Sequence, residues 1–225
     1  MIAAALLPGA GPIADRPAEL IALVGLLALA PAALVMSTSF LKIAVVLSIA
    51  RSALGAPQVP PSTAVTGLAL VLTLLVMAPV GERAVALAQA APDEAGVAGA
   101  TARLARASEP VRDFLERFAR PDDRAAFLDV ARRLRGPGAP PPRGRDLAIL
   151  ASAFVVSELR RAFTIGFAVF LPFLAVDLVV ANVLLALGLT QLSPTSVALP
   201  FKLLLFVAVD GWRLLARSLA LSYAG

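Results

Sequence analysis

Leu199–Trp212 reads LPFKLLLFVAVDGW, an apolar run of helical character that nevertheless carries Lys202 and Asp210. A charge at the centre of a membrane helix costs about 2.5–3.5 kcal/mol unless it pairs, snorkels to an interface, or faces protein or water. A run that keeps both signs is therefore a poor lipid-facing anchor. It reads as a segment buried in an assembly, or lining a path. Read as one helix, Lys202 and Asp210 lie on one side just over two turns apart at ~3.6 residues per turn, too far for a direct intrahelical pair. Pairing with another segment or subunit is the favoured disposition, with path lining and snorkelling as the alternatives.

The rest of the chain has the same character. Of 225 residues, 59% are hydrophobic and the mean hydropathy is +0.86, against ~45–50% apolar residues in soluble domains. This composition is that of an integral membrane protein, or of a subunit sunk into a membrane assembly. The chain holds no cysteine and no histidine, which removes disulfide frameworks, thiol nucleophiles, the usual zinc and iron sites, and histidine acid–base chemistry. The net charge of +5 does not form a basic patch, because twelve of the twenty basic residues lie in Gly81–Asp146 among ten acids. Nucleic acid is not an expected partner. Met1–Ala14 is apolar but short, with Pro8 and Pro12 and no basic residue at its start. That argues against a cleaved signal peptide.

Four hydrophobic runs follow, in two pairs. Leu20–Met36 continues through Ser37, Thr38 and Ser39 into Phe40–Ala50, with Pro31 and Lys42 inside. One span needs ~20 residues, so this is one long kinked helix or two half-helices, with Pro31 favouring a kink. Arg51–Ser62, with Gly55, Pro57, Pro60 and Pro61, is a loop, and Thr63–Val80 is the second run. Phe163–Leu187 contains Pro172, Asp177 and Asn182, and the fourth run extends from Ser196 to about Leu215. Gly188–Pro194 between them is too short and too apolar for an ordinary solvent loop.

The middle, residues 81–146, is a small helical insert. Val111, Phe114, Leu115 and Phe118 recur at helical spacing, as do Phe127, Leu128, Ala131 and Leu134. Asp122 or Asp123, after Pro121, is the expected N-cap of the second helix. Gly136–Arg145, GPGAPPPRGR, is a linker that holds neither helix nor strand. The expected fold is thus an all-α membrane protein: an N-terminal segment 1–19, two kinked hydrophobic helical hairpins over 20–80 and 147–225, and the insert between them.

Other charged residues invite readings. Lys42 in SFLKIAVVL has the same three dispositions as Lys202. Glu158 in SELRRAF can pair with Arg161 at i,i+3, leaving either a solvated face or an interface. Asp177 in FLAVDLVV is an intramembrane acid, functional by default unless its span ends there. An Asp177–Asp210 protease dyad is rejected, since Asp210 follows Val207-Ala208-Val209 rather than a glycine-x-glycine signature. Nucleotide-binding glycine patterns are absent too. The chain reads as no enzyme and calls for no cofactor.

Met36–Ser62 (MSTSFLKIAVVLSIARSALGAPQVPPS), Gly67–Val80 (GLALVLTLLVMAPV), Ala151–Gly188 (ASAFVVSELRRAFTIGFAVFLPFLAVDLVVANVLLALG) and Ser196–Trp212 (SVALPFKLLLFVAVDGW) occur in this order. Together they resemble the R component of the bacterial type III secretion export apparatus, called SctR in injectisomes and FliP in flagella. The STSFLKIAVVLS and VMAPVG phrasing and the LSYAG ending look more like the injectisome branch. The resemblance implies a homo-pentamer arranged helically as a cone with the S and T components and beside other export apparatus subunits. It implies a place in the bacterial inner membrane, the insert on the periplasmic side, and a pore for unfolded exported proteins. Many members carry consecutive methionines in the loop after the third run, as a gasket around the pore. The matching positions here are Leu189, Thr190 and Gln191, so the constriction is expected from Leu187, Leu189, Thr190, Gln191 and Leu192. Lys42, Glu158, Arg161, Asp177, Lys202 and Asp210 are the expected buried or interface charges. A small-solute carrier acting alone is the rival reading, and the absence of matching halves speaks against it.

Overall fold

The computed structural model describes residues 35–56, 60–90, 97–135 and 140–224, with Val24, Gly25, Ala28, Pro31 and Ala32. The bounded helices are α1 (Phe40–Ala53), α2 (Ser62–Gln89), α3 (Val97–Phe118), α4 (Pro121–Leu134), α5 (Leu147–Ala186), α6 (Pro194–Ala208) and α7 (Gly211–Leu221). No strand occurs among the described residues. Val35–Ser37 is also helical, and a bend at Thr38 and a turn at Ser39 separate it from α1. The long first run is therefore interrupted at the serine–threonine step. Pro31 itself is helical, and the kink expected there involves neighbours outside the described residues.

Two helices outrun the sequence expectation. Counting apolar residues stops the second run at Val80, but Glu82, Arg83, Ala84, Ala86, Leu87 and Gln89 are good helix formers and carry α2 to Gln89. The third run begins not at Phe163 but at Leu147, giving a 40-residue α5 roughly 60 Å long at ~1.5 Å per residue. Both α2 and α5 are long and apolar enough to cross a membrane. Their apolar side chains lie largely on the outside: Phe163, Phe167, Leu171, Leu174 and Leu178 form an exposed stripe at helical spacing along α5. A polar solvent face would carry charges there instead. Membrane is the location this surface fits.

The chain divides into two compact units, one of residues 1–38 and 78–154, the other of 39–77 and 155–225. In the first, Phe114, Leu115 and Phe118 of α3 are buried with Ile149, Leu150, Ala153 and Phe154 of α5. The Phe114 ring lies 4.9 Å from Phe118 and 5.6 Å from Phe154 between centroids, which anchors α3 on the start of α5. The α4 stripe is shallower than its spacing suggested: Phe127, Leu128 and Ala131 are half-buried and Leu134 is exposed. The expected cap is corrected as well. Arg120 is the N-cap in extended conformation and Pro121 occupies the first helical position. Proline fits there, lacking the N–H that would be orphaned, and holds its predecessor extended. Asp122 and Asp123 fall instead in the first turn, where their charge suits the helix dipole.

In the second unit α1 runs parallel to the middle of α5, with Lys42 beside Glu158 and Ile49 against Gly166. A side chain at Gly166 would overlap Ile49, so the glycine is what lets the two backbones approach. Then α6 returns antiparallel along α5: Asp177 meets Lys202 and Phe173 meets Phe206 with ring centroids 6.2 Å apart. The fourth hydrophobic run is not one helix. It breaks at Asp210, whose φ of 50° and ψ of 52° are left-handed. The Phe206 ring fills the space where a Gly211 side chain would stand.

Gly166→Val should destabilise the detergent-solubilised protein by about 1–3 kcal/mol through overpacking, and Ile49→Ala in the same chain should restore much of the loss. Thermal unfolding of the two single variants and the double variant checks this. Additive losses would show that the two positions are not in contact.

Candidate functional site

Glu158 faces into the second unit with none of its side chain exposed. Lys42 Nζ, itself 2% exposed, lies 3.3 Å from Glu158 Oε2. Arg161 donates to Oε1 at 2.7 Å from one turn further along α5. The hydroxyl of Tyr223 donates to Oε2, and Lys42 Nζ lies 3.6 Å from the centre of the tyrosine ring. The carboxylate thus receives donors from α1, from its own helix and from the C-terminal end. Two cations and a phenol around one buried carboxylate meet the condition under which burial of charge is tolerable. Burial first, then the nearby Glu158 charge, push the Tyr223 phenol well above its ordinary pKa, so the hydroxyl keeps its proton and donates.

A second cluster lies further along α5. Lys202 Nζ of α6 is 2.6 Å from Asp177 Oδ2 and donates to the Ala53 carbonyl at 3.3 Å. That carbonyl belongs to the last turn of α1, which no later helical N–H satisfies, so the lysine also caps the helix. Gly55, with φ 75°, turns the chain out of α1, and its N–H reaches the Ser52 carbonyl at 3.1 Å. Lys202 ties together α1, α5 and α6. Asp177 is about one-third exposed, and its Oδ1 has no hydrogen-bond partner among the described residues.

Asp210 behaves differently. The helix break puts it off the helix that carries Lys202. Its side chain is 56% exposed and pairs with Arg213 at 2.8 Å. The shared helix side expected from the spacing does not exist, because the left-handed residue ends α6 there.

The expected constriction residues lie together at the tip between α5 and α6. Gly188, with φ 70°, ends α5 in a Schellman turn: Leu189 N–H bonds the Leu184 carbonyl at 2.9 Å and Gly188 N–H the Leu185 carbonyl at 3.1 Å. Leu187, Leu189, Thr190, Gln191 and Leu192 are all exposed in this chain. No acid–base pair or nucleophile accompanies them. Sequence reasoning missed Tyr223. Its signal was the continuation of the buried face of α7, from Leu215 and Leu219 at i+4 steps to the one tyrosine in the chain.

The FliP family profile matches residues 23–219, which takes in both charge clusters except Tyr223. The chain belongs to the FliP family. The flagellar biosynthetic protein FliP of Pectobacterium carotovorum subsp. carotovorum is 45% identical over 219 residues, 96% of this chain and 83% of that protein. The Yop proteins translocation protein R of Yersinia pestis is 43% identical over 209 residues, 92% of this chain and 96% of that protein. The hypersensitivity response secretion protein HrcR of Ralstonia nicotianae (strain ATCC BAA-1114 / GMI1000) is 42% identical over 210 residues, 92% of this chain and 97% of that protein. This FliP-family chain thus stands at similar distance from relatives named for flagellar biosynthesis and for translocation and secretion.

Lys202→Ala should cost about 3–5 kcal/mol of stability by stranding a carboxylate and a helix-end carbonyl. Asp210→Ala should cost no more than about 1 kcal/mol, as an exposed pair. Thermal unfolding in detergent distinguishes them, and equal losses would overturn the contrast. Tyr223→Phe keeps the ring over Lys42 but removes a donor from a buried carboxylate, a loss of about 1–3 kcal/mol measurable in the same experiment.

Proposed function

We propose that this chain is a core subunit of a type III secretion export gate, and that it builds the wall of the pore through which unfolded proteins leave across the bacterial inner membrane. The observation that carries this is the FliP-family match over nearly the whole chain, with relatives named for secretion and translocation. Apolar helices that keep buried charge clusters support it, since such charges persist where protein supplies their partners. In this reading five copies join the S and T components and other export apparatus subunits, stacked as a cone. The apolar stripe of α5 then packs on neighbouring subunits or lipid. Residues 20–80 and 147–225 act as the two hairpins, and the insert of residues 81–146 faces the periplasm.

Leu187, Leu189, Thr190, Gln191 and Leu192 form the constriction in this proposal. Their shared position on one exposed loop tip supports it. Leucines supply the apolar seal where methionines would otherwise supply a deformable one. The chain holds the path, and energy is applied elsewhere in the machine. The injectisome branch rests on the STSFLKIAVVLS and VMAPVG phrasing and the LSYAG ending. The flagellar reading is the alternative, since relatives named for flagellar biosynthesis and for secretion are 45% and 42–43% identical. Deleting the gene and recording whether effector secretion or motility is lost decides between them.

Native mass spectrometry of the chain co-expressed with its genomic neighbours should give a pentamer, alone or with small hydrophobic partners. A stable monomer without partners would favour the solitary carrier and overturn the gate. The natural chain has no cysteine, so Gln191→Cys creates a unique thiol. It should crosslink to a stalled export substrate, whereas Phe167→Cys on the exposed stripe should not. Equal crosslinking of both would remove the loop from the pore.

A further inference from the structure

The tip between α5 and α6 is a β-turn. Leu192 N–H bonds the Leu189 carbonyl at 3.3 Å, which puts Leu189 and Leu192 at the feet of the turn and Thr190 and Gln191 at its apex. Gly188, with φ 70°, ends the helix before it, and Pro194 opens the helix after it. Leu187, Leu189 and Leu192 are 66%, 44% and 48% exposed, and the apex pair is exposed as well. The Thr190 hydroxyl and the Gln191 amide meet no hydrogen-bond partner among the described residues. Each can donate and accept, and neither carries charge. Turn chemistry favours glycine, proline, asparagine, aspartate and serine at such positions, so it does not account for a threonine and a glutamine there. The apex of an otherwise leucine-rich tip is thus two neutral side chains with unused hydrogen-bonding capacity.

An extended polypeptide carries a backbone C=O on every residue and an N–H on all but proline. In a ring of leucines tight enough to exclude water, each of these groups would lose its water and gain nothing, residue after residue. Fixed groups that both donate and accept replace the lost water for either kind. A lysine or an aspartate would serve only one kind and would hold or repel charged side chains as they pass. We propose that Thr190 and Gln191 bind the main chain of the polypeptide under export, exchanging hydrogen bonds with its N–H and C=O groups while Leu187, Leu189 and Leu192 exclude water beside them. This rests on the reading of the tip as the constriction of an export pore. The ligand is an extended polypeptide recognised by its backbone, so passage is indifferent to its sequence.

The test uses the full chain in its own secretion machine, with an unfolded glycine- and serine-rich reporter fused to an export substrate of that machine. Gln191→Met with Thr190→Val removes both hydrogen-bonding groups at nearly constant side-chain size. Export of the reporter should slow about tenfold, as leaving polar groups unpaired does. Gln191→Asn with Thr190→Ser, which restores an amide and a hydroxyl, should recover most of that loss. A reporter carrying a polyproline segment offers no N–H there, so the Met/Val variant should slow its passage less. A merely misshapen loop would slow both reporters alike. Native mass spectrometry checks that every variant enters the same assembly. Natural-rate export by the Met/Val variant, an equal loss in the Asn/Ser variant, or equal slowing of both reporters overturns the assignment. The Gln191→Cys crosslink separates this inference from the reading beneath it. If the crosslink forms and the Met/Val variant exports normally, the constriction stands and the backbone-binding role falls; without the crosslink both fall.

Discussion

A carboxylate with no exposed surface, within a 40-residue apolar helix, requires compensating donors, and Glu158 takes them from three parts of the chain. Lys42 comes from α1, Arg161 from the next turn, and Tyr223 from beyond α7. Without these donors the carboxylate would be a buried, unsolvated charge, strongly destabilising for the unit that holds it. The requirement fixes the parallel run of α1 beside α5 and the return of the C-terminus to the same place. The close approach at Gly166 follows from it: once Lys42 is set against Glu158, Ile49 falls opposite residue 166, and only a residue without a side chain leaves it room.

Lys202 does the same for the other hairpin arm. By reaching both Asp177 and the last turn of α1 it sets the antiparallel register of α6 against α5. That register fixes where the exposed tip from Leu187 to Leu192 stands relative to the helices. Glu158 and Asp177 are roughly 28 Å apart along α5 at ~1.5 Å per residue. The exposed stripe from Phe163 to Leu174 lies between them. Two polar ties thus bracket an apolar segment close to one hydrocarbon thickness of ~30 Å.

How much of this the sequence discloses depends on whether a feature is local. The apolar runs, the insert with its α3 stripe, the Gly188 turn and the i,i+3 pair of Glu158 with Arg161 are readable because their signals lie within a few residues of one another. The partners of Lys42 and Lys202 are not, since Glu158 and Asp177 are distant from them in sequence and meet them only when α1 and α6 pack along α5. Tyr223 was hidden for the same reason. The break at Asp210 was hidden for a different one. Val209-Asp210-Gly211 is compatible with a continuing apolar helix by hydropathy, and only the fit of the Phe206 ring over Gly211 shows why the chain turns there. The helices α2 and α5 extend past the apolar runs to Gln89 and Leu147 because residues such as Glu82 and Arg83, or Glu158, Arg160 and Arg161, interrupt an apolar count without interrupting a helix.

The placement of charge at two depths bears on specificity more than on strength. Apolar helices in an apolar medium gain little from any one register over its neighbours, because lipid tails solvate leucine as well as another leucine does. A helix pair held only by such contacts can slide by a turn at small cost. A lysine that must meet one carboxylate cannot slide, since any other register leaves both charges unpaired. Replacing such a pair by apolar residues is often neutral or stabilising in a soluble core, so stability alone does not account for keeping it. For the gate proposed above, in which the exposed loop tip stands at a defined height against identical neighbours, register is the property that matters. Lys42–Glu158 and Lys202–Asp177 fix it at two points along one helix.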